Sequence, residues 1–251
     1  MSIPRFYISP PAWNIERLRL TESECHHCVS VMRLNEGDPV VVFDGMGTEV
    51  SARITGISKH EVALEPLHIQ KSSPPACHIT LAQAIPKGKN MELILQKATE
   101  LGAGTVIPLM SQRTVVRLDA EEARDRRAKW QRVVIEACKQ CGRNLVPTVF
   151  EPVSVDMFLD NMAVQDLRLV AAIDPAARGL KPLLAQYAGA HPASPLPRRV
   201  LIMIGPEGDF TPAEYSHAGS RGFLPLSLGP VILRTETAAL CALSVLGHEL
   251  F

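Results

Sequence analysis

Two glycine-punctuated segments near the carboxyl terminus concentrate the residues able to do chemistry. One is Ile204-Gly205-Pro206-Glu207-Gly208-Asp209-Phe210. The other is Leu228-Gly229-Pro230-Val231-Ile232-Leu233-Arg234-Thr235-Glu236-Thr237-Ala238. Each ends a short apolar run that reads as a strand, Val200–Ile204 and Phe223–Leu228, and each precedes a helix start. Glycine at such a junction lets main-chain groups approach a ligand with no Cβ in the way. In parallel α/β sheets the crevice beyond the carboxyl ends of the strands is the usual ligand site. The pair of loops predicts one small-molecule pocket beside a catalytic Arg or Glu.

The charged residues of these loops differ in what else could explain them. Glu207 and Asp209 precede a helix and can serve its positive end. Thr235 or Thr237 can cap the last helix, with Glu236 in its first turn. Arg234 has no such role, because a cation opposes the helix dipole there, so it predicts an anionic contact. Neither loop matches Gly-x-Gly-x-x-Gly, and the chain has no Gly-x-x-x-x-Gly-Lys-[Ser/Thr], which disfavours a dinucleotide or triphosphate site. The absence of Gly-x-Ser-x-Gly and of any evident triad disfavours a hydrolase.

Three further groups stand out. Lys87-Gly88-Lys89-Asn90, ahead of a helix, either offers lysines and amides to phosphate or is a solvated loop. Arg5 and Arg33 adjoin Phe6, Tyr7, Val31 and Met32 and are either surface charges or RNA contacts. Two Cys-x-x-Cys pairs, Cys25–Cys28 and Cys138–Cys141, raise a zinc site. The second pair falls on the apolar face of a helix, where cysteine packs as a small hydrophobe, so no metal is expected. Neither pair follows the strand-to-helix start that a redox motif uses.

The elements that must position these residues divide the chain in two. Pro39–Phe43, Glu49–Ile54 and Glu61–Leu67 are β-branched runs separated by Asp44–Gly47 and Gly56, a spacing that predicts a small barrel. Lys71-Ser72-Ser73-Pro74-Pro75 reads as an extended linker, which sets the domains at 1–72 and 73–251. Beyond it strands at His78–Ala84, Thr105–Leu109, Leu167–Ile173 and Val200–Ile204 alternate with helices. Asn90 is placed to cap a helix over Met91–Leu101 that Gly102 closes, and a second helix covers Ala120–Cys141. Thr211-Pro212-Ala213-Glu214 is a capping box with proline at the first helical position, and a last helix spans Thr235–Leu250. Alternation of this kind predicts an α/β fold with a covered, mostly parallel sheet.

Composition narrows the class. With 46% apolar and 21% charged residues the chain reads as globular, and no apolar run approaches the ~18 residues a membrane span needs. Met1–Arg5 lacks the apolar core of a signal peptide, so a cytoplasmic protein with reduced thiols is expected. Net charge is zero, yet residues 71–150 carry 13 basic against 7 acidic residues, a net +6 compatible with an anionic partner such as RNA.

The chain resembles the 16S ribosomal RNA uridine-N3 methyltransferases of the SPOUT class. The matching residues include Pro4-Arg5-Phe6-Tyr7, His27 with Val31-Met32-Arg33, Phe43-Asp44-Gly45, and Gln83-Ala84 with Lys87-Gly88. They continue through Lys97-Ala98-Thr99-Glu100-Leu101-Gly102, Ala137-Cys138-Lys139-Gln140-Cys141-Gly142-Arg143, Gly205-Pro206-Glu207-Gly208 and Leu228–Ala238. The resemblance implies a PUA-like β-barrel that helps hold RNA, then a SPOUT-type α/β domain with a C-terminal trefoil knot. It implies S-adenosyl-L-methionine as cofactor, a homodimer, and 16S rRNA of the small ribosomal subunit as partner. The cofactor contacts it implies are Ile204, Gly205, Pro206, Glu207 and Gly208 from one loop. From the other they are Leu228, Gly229, Ile232, Leu233, Arg234 and Thr235. RNA contacts fall to Arg5, Arg33, Lys87, Lys89 and Arg143. Two positions depart from the family pattern: Asp209 stands where a second glycine is usual, and Val231 where a basic residue is common.

Substrate chemistry gives Arg234 a role. Uridine N3 is a poor nucleophile until its proton leaves, and the resulting charge spreads onto two flanking carbonyl oxygens. A guanidinium near those oxygens stabilises it. Glu207, Asp209 and Glu236 are the candidate proton acceptors, and the residues alone do not choose among them. The rival reading is a non-catalytic RNA-binding or ribosome-assembly protein on the same fold.

Overall fold

β-Branched residues set the first sheet. The computed structural model describes residues 3–251, and these divide into two units, one running to Pro74 and taking in Ile135–Val146, the other comprising Pro75–Val134 and Pro147–Phe251. In the first unit the strands are β1 (Arg5–Tyr7), β2 (Arg19–Thr21), β3 (Pro39–Phe43), β4 (Thr48–Ile57) and β5 (Glu61–Lys71), with a short helix α1 (Glu22–His26). Their order is β1-β3-β4-β5-β2, with β1 parallel to β3 and the other pairs antiparallel. The order has two ends, β1 and β2, so the expected barrel is an open sheet in its hydrogen bonding. Register shifts between Ser51 and Ala52 and between Ile54 and Gly56 mark irregularities of the kind that bend a β-ribbon. Phe6, Leu20, Val40, Val42, Val50, Ile54 and Val62 form the core together with Cys25 and Cys28. Burial pushes the Cys28 thiol up to about 11, the behaviour of a packed hydrophobe.

The second unit carries β6 (His78–Ala84), α2 (Asn90–Glu100), β7 (Thr105–Met110), α3 (Ala120–Cys141), β8 (Thr148–Val149), β9 (Val153–Ser154) and α4 (Val155–Asn161). It continues through β10 (Leu167–Ala171), α5 (Leu180–Ala190), β11 (Arg199–Ile204), α6 (Pro212–Ser220), β12 (Leu224–Leu226) and α7 (Thr235–Leu250). The sheet runs β12-β10-β11-β6-β7-β8, with β9 also on β7, and every pair is parallel. Its central strands are buried on both faces: Leu81, Ala82, Leu169, Leu201, Ile202 and Met203 have at most 1% of their surface exposed. That burial is why these strands read as continuous apolar runs.

Several local expectations are corrected. Lys89, not Asn90, is the residue before α2, and it makes no side-chain cap. The residue before α7 is Arg234, whose guanidinium has no acceptor to cap with, while Thr235, already inside the helix, spends its hydroxyl on the Gly205 carbonyl. Helix α5 is absent from the sequence reading, since Gly179, Pro182 and Gly189 mask the buried face of Leu180, Leu183 and Leu184. The capping box at Thr211 and Glu214 is present as read. The last two turns of α3 cluster with the first unit.

Candidate active site

Three neighbouring parallel strands, β12, β10 and β11, end at one cavity. It has a volume of about 530 Å³ and is walled by Ala171–Pro175 after β10, by Ile204–Glu207 and Asp209 after β11, and by Leu226–Thr235 after β12. Parallel strands with buried faces leave their carboxyl ends as the one place where loops can diverge around a ligand. Both loops singled out by the sequence meet here.

The loops are held by short polar contacts. Thr235 Oγ1, 4% exposed, donates to the carbonyl of Gly205 at 2.6 Å and accepts from Gln83 Nε2 at 3.0 Å. Glu207 Oε1 accepts from the Lys87 amide at 2.9 Å. Asp209 sits at φ 62°, and its Oδ1 accepts from the Phe210 amide at 2.8 Å and from the Tyr215 hydroxyl at 2.7 Å. Beneath them Glu214, 3% exposed, takes hydrogen bonds from the Gln112 amide at 2.8 Å and from the Thr211 amide and hydroxyl at 2.8 and 3.1 Å. Burial, followed by the bond to Asp209, pushes the Tyr215 hydroxyl well above the usual tyrosine range, so it stays a donor.

The glycines act for reasons the sequence did not separate. A Cβ on Gly205 would stand 3.0 Å from Asp209 Oδ1 and 3.4 Å from Phe210, so this glycine makes room for its own loop. Gly229 has φ +126° and nothing within 4 Å of a Cβ position, so the backbone conformation itself calls for glycine. Gly208 does not line the cavity. It is exposed, and its carbonyl accepts from Arg113 Nη1 at 2.7 Å.

Among the expected catalytic and cofactor residues, Ile204, Gly205, Pro206, Glu207, Leu228, Gly229, Ile232, Leu233, Arg234 and Thr235 all line the cavity. Arg234 is exposed, and its guanidinium makes no hydrogen bond or ion pair with any described residue. Glu236 lies in the first turn of α7 and outside the cavity lining. Asp174, which the sequence reading missed, is on the wall, and Tyr215 braces Asp209 from α6. Asp174 was signalled by Ile173-Asp174-Pro175 at the end of a third strand.

The expected RNA contacts separate. Lys87 and Lys89 are exposed in the loop that Glu207 braces, and Arg33 is exposed at φ 55° in the first unit. Arg5 is held within the first unit. Its guanidinium is bound internally, with Nη1 donating to Glu49 Oε2 at 2.5 Å and Nη2 to Asn144 Oδ1 at 2.6 Å, over the Phe43 ring. Its side chain is 15% exposed, so it works as an internal tie. Arg143 is half-buried, and burial lowers its pKa. Among the described residues no group of three or more His, Cys, Asp or Glu is arranged to hold a metal ion.

A family model for an RNA methyltransferase domain matches residues 73–247, and one for an RNA methyltransferase PUA domain matches residues 20–67. The ribosomal RNA small subunit methyltransferase E of Bacillus subtilis is 34% identical, over 98% of this chain and 96% of its own. A Legionella pneumophila protein described as a candidate methyltransferase, solved with the bound cofactor SAM, is 34% identical. It aligns with a TM-score of 0.86 over 99% of this chain and 98% of its own. The ribosomal RNA small subunit methyltransferase E of Neisseria gonorrhoeae, solved bound to S-adenosyl methionine, is 33% identical with a TM-score of 0.84, over 99% and 98%. A likeness that runs through both matched domains at this identity places the chain in the RNA methyltransferase family, and it belongs with the ribosomal RNA small subunit methyltransferase E proteins.

Proposed function

We propose that the chain is an S-adenosylmethionine-dependent methyltransferase acting on N3 of a uridine in 16S ribosomal RNA of the small subunit. The observation that carries the reading is Arg234, a guanidinium on the cavity wall with no partner among the described residues, at a helix start that disfavours a cation. The named relatives and the two cofactor-bound structures supply the substrate and cofactor class.

The cavity fits that cofactor. Its volume of about 530 Å³ suits a ligand of this size. The amides of Leu228, Val231, Ile232 and Leu233 donate to no described residue, and the glycine conformation at 229 keeps that loop open, so main chain is available as a cradle. Ile173, Leu226 and Ile232 offer apolar wall, while the acidic residues Asp174, Glu207 and Asp209 in the lining suit a cationic ligand. When bound, the cofactor supplies an electrophilic sulfonium methyl.

The chain's own residues do the rest. Arg234 lies where it can stabilise charge on the uracil carbonyl oxygens as N3 loses its proton. Glu207 and Asp209 are the candidate carboxylates on the wall for that proton, and Glu236 is the weaker candidate because it sits outside. Lys87 and Lys89 are exposed for phosphate contacts, and Arg33 presents a third cation from the PUA-like unit. The bond between Thr235 and Gly205 ties together the two loops that a C-terminal SPOUT knot would bring into contact. A homodimer in the cytoplasm completes the proposal.

The test is calorimetric titration with S-adenosylmethionine, paired with transfer of labelled methyl into 16S rRNA and assembled small subunits. The expected result is stoichiometric binding and one methyl at a uridine, read as a stop of reverse transcription because N3 lies on the base-pairing edge. Binding without transfer to either substrate would count against N3 methylation. No binding by the wild type would favour the RNA-binding scaffold.

A further inference from the structure

Asp209 carries more than its place in a turn requires. Its backbone sits at φ 62°, a region that costs an L-residue energy and that glycine enters freely. The side chain offsets this. One oxygen, Oδ1, takes both the Phe210 amide and the Tyr215 hydroxyl, at 2.8 and 2.7 Å. The second oxygen has no partner among the described residues, on a half-buried residue that lines the cavity. The two other wall carboxylates, Asp174 and Glu207, belong to exposed residues. The only cationic side chain on the described wall is Arg234. The cavity thus presents three carboxylates against one guanidinium, and Asp209 is the least screened of the three.

We propose that Asp209 is the residue by which this site reads charge, favouring a cationic methyl donor over its neutral thioether product. The proposal rests on the reading that the cavity takes S-adenosylmethionine. Donor and product share the adenosine and amino-acid parts and differ at sulfur: a methylated sulfonium in one, an uncharged thioether in the other. A carboxylate locked by an amide and a tyrosine hydroxyl cannot swing away to follow either ligand. Its attraction is therefore specific to the charged form and is withdrawn when the methyl leaves, which speeds product release.

Calorimetry with S-adenosylmethionine, S-adenosylhomocysteine and sinefungin, whose amine places a cation near the sulfonium position, tests this on the wild type, Asp209→Asn and Asp209→Gly. The glycine variant is compatible with the backbone conformation whatever happens to the other. Both variants should weaken S-adenosylmethionine and sinefungin about five- to tenfold and leave S-adenosylhomocysteine within about twofold. Tyr215→Phe, which keeps the charge and loses its brace, should weaken S-adenosylmethionine less than either. An equal loss for all three ligands, or no loss, overturns the role of Asp209. A wild type that binds none of the three overturns the cofactor reading itself, and with it this proposal.

Discussion

Thr235 donates its hydroxyl to the carbonyl of Gly205 across 30 residues of sequence, at 2.6 Å, while accepting from Gln83. Thr235 opens α7 and Gly205 follows β11, so one buried hydroxyl joins two walls of the cavity to the end of β6. Replacing it with the isosteric valine leaves the part-buried Gly205 carbonyl without that donor. Thr235→Val should cost about 1–3 kcal/mol in urea unfolding and weaken S-adenosylmethionine binding, while Thr235→Ser recovers most of both.

Arg234→Ala should separate stability from chemistry. The guanidinium has no partner among the described residues and opposes the dipole of α7, so the variant should unfold at the same urea concentration or slightly higher. Methyl transfer should fall by about 10²–10³ in kcat if the arginine stabilises charge developing on the base. A variant that loses stability and activity together would place Arg234 in a structural role.

Glu214 is a buried carboxylate with three donors and, among the described residues, no cationic partner. It holds both the start of α6 and the backbone at Gln112. Glu214→Ala strands those donors and should cost about 2–3 kcal/mol by chemical denaturation. Glu214→Gln, able to accept but also forced to bury an amide, should fall between.

The thiols give a prediction with a pH sign. Burial pushes Cys28 and Cys77 up to about 11 and Cys138 up to about 12, from an ordinary value of 9.0. A raised folded-state value means the stabilisation is complete below pH 9.0 and is lost as pH rises through 11 to 12. Urea midpoints should fall across that window, and less steeply in Cys138→Ala relative to its own value at neutral pH. At pH 8, iodoacetamide should label exposed Cys141 and, more slowly, Cys241, while Cys25, Cys28, Cys77 and Cys138 react only on unfolding.

Local pattern carried much of this molecule. The 3.6-residue spacing of Trp130, Val134, Ala137 and Cys138 marks the later part of α3, because one buried face is enough to specify a helix. Val200–Ile204 reads as a strand because a parallel sheet covered on both faces leaves no polar alternation to obscure it. Glycine and proline punctuation placed the two loops, and the opposition of Arg234 to a helix start singled out the residue on which the proposed chemistry turns. Contacts distant in sequence were a different matter. That Arg5 is spent on Glu49 and Asn144, that Thr235 braces Gly205 instead of capping its helix, and that Asp174 joins the wall all depend on which strands are neighbours. The order β12-β10-β11 is set by packing among residues far apart in the chain, and no local periodicity encodes it. Residue types and spacing therefore determined which loops could form a site, and the tertiary structure decided which of their charges are free to act.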